Sequence, residues 1–163
     1  MNILLSTVAT GLGATAVVDL WSIARKRLLG VPAPDYGLVG RWIGHMPGGR
    51  FRHESIAAAT ALPGEKVLGW TAHYLIGVAF AGLLPAVWGA GWFRHPNPGP
   101  ALLVGIGTVA APFLLMQPGM GAGFAASRSP RPAAARLHSL VTHAIFGLGL
   151  YLSGWAISLL DTP

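Results

Sequence analysis

Four polar residues stand inside otherwise apolar runs: Asp19, His73, Gln117 and His143. Two imidazoles and a carboxylate form a ligand set for Zn²⁺ or another first-row divalent metal. The same groups can relay a proton, since imidazole titrates near neutral pH and a neighbouring carboxylate raises its pKa. They can also take up a small polar ligand, or satisfy one another and so lock helix register. The metal reading uses His73, His143 and Asp19; Gln117 joins them as a ligand- or proton-binding candidate. A third chemistry is haem ligation. His73 and His143 come from alternate runs, as paired axial ligands do, and Gly77 and Gly147 would leave room for a flat ring. A carboxylate facing a macrocycle would be unusual. The sequence has no Ser–His–Asp arrangement, paired carboxylates, phosphate-binding loop or His-Glu-x-x-His motif, so no catalytic residue is assigned and an enzyme has no signature here.

The elements that must position these groups are membrane spans. The chain has 163 residues, 53% hydrophobic and only 10% charged. A soluble domain carries roughly a quarter charged residues, and disordered chains are poor in apolar ones. With no Cys, disulfides, thiolate metal sites and cysteine nucleophiles are all excluded. A bilayer core needs about 20 apolar residues in a helix. Four runs qualify, at 3–24, 67–89, 101–117 and 137–160, the third interrupted by Pro112. We expect an all-α, four-helix transmembrane bundle in one domain spanning 1–163. The first run is read as a retained span, because Arg25-Lys26-Arg27 follows it and no basic segment precedes it.

Asp19 lies six residues from Arg25, and His73 and His143 lie six residues into their runs, a depth of about 9 Å in each case. Gln117 closes the third run on the same side. Of the 11 Lys and Arg, 10 fall in the first and third joints and their flanks. The positive-inside rule makes that side cytoplasmic and puts both termini outside, with Asp161 at the outer end of the last span. Trp88, Trp92 and Trp155 are expected at the outer interface, and Trp70 near the inner one. The basic charge is thereby explained by topology, and no nucleic-acid partner is implied.

The first joint, 30–65, is rich in Pro and Gly. Within it, Leu38, Val39, Trp42, Ile43 and Met46 share one helical face, which predicts a short helix at the membrane surface or packed on the span ends. Arg50 and Arg52 suit anionic lipid headgroups, and His53-Glu54 could add ligands to the polar cluster. The run Gly119-Met120-Gly121-Ala122-Gly123 is either a flexible turn or, with Arg128, a cradle for a lipid phosphate. The chain also repeats weakly. Gly11-x-Gly13 precedes His73-x-x-x-Gly77, and Gly105-x-Gly107 precedes His143-x-x-x-Gly147. This pattern implies a parallel 2+2 repeat.

The segment Gly37-Leu38-Val39-Gly40-Arg41-Trp42-Ile43-Gly44-His45, with Gly49-Arg50-Phe51-Arg52-His53, Pro63-Gly64-Glu65, Gly69-Trp70, His73-Tyr74 and Ala126-Ser127-Arg128, resembles a bacterial membrane-protein family. That family is catalogued as the domain of unknown function numbered 2938. The resemblance covers nearly the whole chain. It implies a small, four-span protein of the bacterial inner membrane and carries no activity. It also adds Arg41, His45, Arg52 and His53 as secondary site candidates. Three functions follow from these readings: a homo-oligomeric membrane protein binding a metal ion, proton or small ligand, with a transport role open; a non-catalytic scaffold or accessory subunit; and a bis-histidine haem electron carrier.

Overall fold

The computed structural model of the chain describes residues 2–160, so Asp161 lies outside the described residues. Every regular element among them is helical. Helix α1 runs Ile3–Leu29, opened by the Asn2 side chain, which accepts from the Leu5 N–H at 2.8 Å, and closed by Gly30 in the left-handed region. Helix α2 runs Tyr36–His45 behind an Asp35 cap. Helices α3, Glu65–Ala81, and α4, Leu83–Trp88, form one apolar stretch. Helix α5, Pro98–Gly107, starts with proline at its first position after an Asn97 cap, where the missing N–H costs nothing. Beyond it comes a π-helical turn, Pro112–Met116, and then the short α6, Gln117–Met120. Pro112 has no N–H to give the preceding turn, and the ladder widens where the sequence places the interruption. Helix α7 runs Pro132–Leu160.

Four stretches are long and apolar enough to cross a membrane: Ile3–Leu29, Glu65–Trp88, Pro98–Met120 and Pro132–Leu160. The chain is an all-α, four-span membrane protein. Their outer faces are bare hydrocarbon: Leu4, Leu103 and Leu115 are 71%, 66% and 68% exposed. Such faces would be costly in water and suit lipid. The first helix extends past the sequence-based boundary at 24, so Arg25 is helical. It is also buried, with its guanidinium on the Pro32 carbonyl at 3.3 Å.

Two compact units divide the chain. The first comprises Met1–Ala33, Tyr74–Thr108 and Val141–Pro163. Its core gathers Val18, Leu84, Trp92, Phe93, Val104, Phe146 and Leu150 around Ala14, Ala81 and Ala101. Helix backbones approach through glycine. A Cβ on Gly11 would run into the backbone of Gly77 and Val78, and a Cβ on Gly105 into that of Gly147. These four are the matched glycines of the sequence repeat, so both halves use the same small-residue contact. Trp92 departs from expectation. Its ring is buried over Gly154, so it is a core residue and not an interfacial anchor.

The second unit comprises Pro34–His73 and Val109–Leu140. Here α2 lies on the start of α3, with Gly40 and Gly69 removing the side chains that would keep the backbones apart. The segment after α2 has little regular structure. It is held to the Gly119–Gly121 turn by the His53 N–H, which donates to the Gly119 carbonyl at 2.8 Å. A Cβ on Gly121 would strike the Glu54 carbonyl. In the turn before α7, Ala125 and Ala126 have φ of 46° and 56°, left-handed values that strain an L-residue.

Candidate functional site

In the first unit, Asp19 sits on α1 among apolar neighbours and accepts a hydrogen bond from the Tyr74 hydroxyl at 2.8 Å. An intramembrane carboxylate is costly unless it is satisfied, and the phenol is the right partner, since it donates without adding a charge. Both side chains are half-buried. The spacing of Thr7, Gly11, Thr15 and Asp19 along α1 puts the carboxylate on its small-residue stripe.

His143 on α7 is placed differently. Its Nδ1 lies 3.1 Å from the Gly105 carbonyl and 3.1 Å from the Thr108 hydroxyl, which itself donates to the Gly105 carbonyl at 2.7 Å. A proton on Nδ1 satisfies the carbonyl and leaves Nε2 as the basic nitrogen. The close approach at Gly105 and Gly147 creates this contact, because it brings an α5 carbonyl within reach of an α7 side chain.

The second unit holds the other candidates. His73 stacks on the Tyr36 ring at 4.0 Å between centroids, and Tyr36 meets Trp70 edge-on at 4.8 Å. Gln117 comes within 3.5 Å of the Ser139 hydroxyl, while its Oε1 is buried without a hydrogen-bond partner. The space that a haem would need beside Gly77 and Gly147 is filled. Thr15 closes on Gly77, and the Ala101 and Leu102 backbone closes on Gly147. The two glycines serve helix contact. Among the described residues, no three His, Asp or Glu side chains form a group that could hold a metal ion.

Arg41, a secondary candidate, is the organiser of the second unit. Its Nε and Nη2 donate to the two oxygens of Glu65 at 2.8 and 2.7 Å. Its Nη1 donates to the carbonyls of Ala57 and Ala59 at 3.2 and 3.1 Å, and to that of Ile56 at 3.4 Å. Glu65 also accepts the Leu62 N–H at 2.9 Å, tying the pair to the start of α3. The two side chains are only 13% and 15% exposed. The hydrogen bonds it donates to Glu65 hold the Arg41 guanidinium above its ordinary value, against the opposing effect of desolvation. The fork geometry suits this double task, one face on a carboxylate and one edge on carbonyls.

His45 places Nε2 3.0 Å from the Thr60 carbonyl, and its ring lies 5.2 Å from that of His53. His53, expected in a solvated loop or as an added ligand, is buried, and its Nε2 has no hydrogen-bond partner. Arg52 is exposed, and among the described residues it has no ion pair or hydrogen bond. Sequence reasoning missed Tyr74, Thr108 and Glu65 as partners. Glu65 carried only a weak signal, that of an acid in the first turn of a helix.

No curated protein and no solved structure matches the chain. A family model does, over residues 8–157. The Arg41–Glu65 pair and the polar groups within the spans all fall inside that match, and the chain belongs to the family described as "Protein of unknown function (DUF2938)".

Proposed function

We propose that this chain is a multi-pass protein of the bacterial inner membrane that binds a proton or small polar ligand at an intramembrane site centred on Asp19. The observation that carries the reading is the hydrogen bond from Tyr74 to Asp19 between two spanning helices. A carboxylate kept at membrane depth is a functional group by default, marking ion or proton paths. The Lys and Arg distribution favours a cytoplasmic location for the first and third joints, with both termini outside. The Asp19 site then lies toward the cytoplasm, and His143 with Thr108 supplies a second polar group in the same unit. Four helices enclose little volume, so passage across the membrane needs a homo-oligomer.

The reading is tested in proteoliposomes with an entrapped pH-sensitive dye under an imposed potential. Wild type is expected to conduct protons, Asp19→Asn to abolish the flux, and Tyr74→Phe to leave part of it. Wild-type flux no greater than that of empty liposomes would overturn a proton path. It would favour the second reading, a non-catalytic scaffold or accessory subunit. That reading draws on the glycine contacts of Gly11 with Gly77 and Gly105 with Gly147, which serve packing alone.

A further inference from the structure

A groove of about 370 Å³ opens in the second unit between α2, the segment after it, and the π-helical turn with α6. The volume lies within the range of small-molecule sites, roughly 300–1,000 Å³. Leu114, Leu115, Pro118 and Phe124 give it an apolar wall, Trp42 forms one side, and Arg52 is its one charged lining residue. Leu114 and Leu115 belong to the third membrane-spanning stretch, and Pro118 lies near its end. The groove therefore borders the end of a stretch long and apolar enough to cross a membrane.

The lining is built and not incidental. The Trp42 indole N–H donates to the Phe51 carbonyl at 2.9 Å, and the His53 N–H donates to the Gly119 carbonyl at 2.8 Å. Arg52 stands between these two anchored residues, so its backbone is fixed at the groove. Gly119 is required here, because a Cβ would meet the Trp42 ring at 2.7 Å. Three features at one place have one chemistry in common: an indole at the side of the groove, a guanidinium with no partner among the described residues, and an exposed apolar wall. Leu114, Leu115 and Phe124 are 57%, 68% and 63% exposed.

Charge selects the occupant. The second unit carries seven Lys and Arg against Asp35, Glu54 and Glu65. Glu65 is paired with Arg41, and Asp35 caps α2. Glu54 is exposed and is not among the groove residues. We propose that the groove is a site for an anionic phospholipid, its phosphate on Arg52 and one acyl chain along Leu114, Leu115 and Phe124. The site is separate from Asp19 and stands whether or not that residue handles protons.

The test is native mass spectrometry of the detergent-released protein with dioleoyl-phosphatidylglycerol and dioleoyl-phosphatidylcholine. Wild type is expected to retain the anionic lipid in preference. One basic residue near an anionic surface contributes enough for about a fivefold change, so Arg52→Gln is expected to reduce the preference by about that factor. Arg50→Gln, an exposed charge outside the groove, is expected to leave the preference in place. Leu115→Trp, which fills the groove from an exposed position, is expected to lower retention of both lipids. Equal retention of the two lipids by wild type, equal losses in Arg50→Gln and Arg52→Gln, or undiminished retention in Leu115→Trp would each overturn the proposal.

Discussion

The two units are held together in different ways. In the first, helix backbones touch where glycine removes the side chain, at Gly11 with Gly77 and at Gly105 with Gly147. In the second, one such contact at Gly40 and Gly69 is supplemented by side chains that tie irregular backbone in place. Arg41 reaches Glu65 and three carbonyls, Trp42 the Phe51 carbonyl, and Arg136 the Ala125 carbonyl at 2.8 Å. The contrast follows from backbone accounting. A helix satisfies its own N–H and C=O groups, so in lipid neighbours are held by shape, dispersion and a few side-chain hydrogen bonds such as that of Tyr74 to Asp19. Irregular segments leave carbonyls without partners, and cationic side chains supply them. Charge follows the same division, with seven of the 11 Lys and Arg in the second unit.

The most severe way to break the first unit is to restore a side chain at its closest contact. Gly105→Val would force the Gly147 backbone away, and a backbone cannot rotate aside as a side chain can. We expect a loss of about 3 kcal/mol or failure to accumulate in membranes, read by denaturant unfolding and by yield of monodisperse protein. The matched change Gly11→Val is expected to behave alike, because the two halves share the contact.

The next largest effect falls on the second unit. Arg41→Ala is expected to expose residues 46–64 to protease while the membrane helices stay protected. Arg41→Lys should not rescue, since an ammonium cannot hold both carboxylate oxygens and the carbonyls together. The pH dependence has a definite sign. The paired guanidinium keeps its charge at every accessible pH, so the tie fails only as Glu65 becomes protonated. Resistance of this segment to protease is therefore expected to fall on acidification and to be unchanged by mild alkali.

Ala125→Gly sharpens the comparison in the stabilising direction. The left-handed backbone there favours glycine, and relief of that strain is expected to raise stability by about 0.5–1 kcal/mol, seen as a higher unfolding midpoint. The smallest effect is expected from Tyr74→Phe. One hydrogen bond between membrane helices contributes about 0.6 kcal/mol on average, so the variant should remain folded while its function changes.

The sequence showed the spans clearly because twenty-residue apolar runs have few other uses, and Asp19 was conspicuous within one of them. Its partner was not, because a tyrosine in a span is as well explained by packing, and no local pattern links residues 55 apart along the chain. The glycine repeat was legible as a pattern, and the structure gives it a physical meaning in the paired backbone contacts. His73 and His143 looked equivalent by spacing. They differ in surroundings, one stacked on Tyr36 and one on a carbonyl, since those partners come from elements distant in sequence. The burial of His53 was hidden for a related reason. The loop that carries it has no periodicity, and only its anchoring to Gly119 turns the imidazole inward.

The most direct test of the Asp19 site is infrared difference spectroscopy of the folded protein in nanodiscs, titrated across the pH range in which it stays intact. A carboxyl band that gains and loses its proton, shifts in Tyr74→Phe and disappears in Asp19→Asn is the expected result. A carboxylate signal unchanged by titration and indifferent to Tyr74→Phe would show that Asp19 serves packing alone, and would contradict a proton- or ligand-binding role.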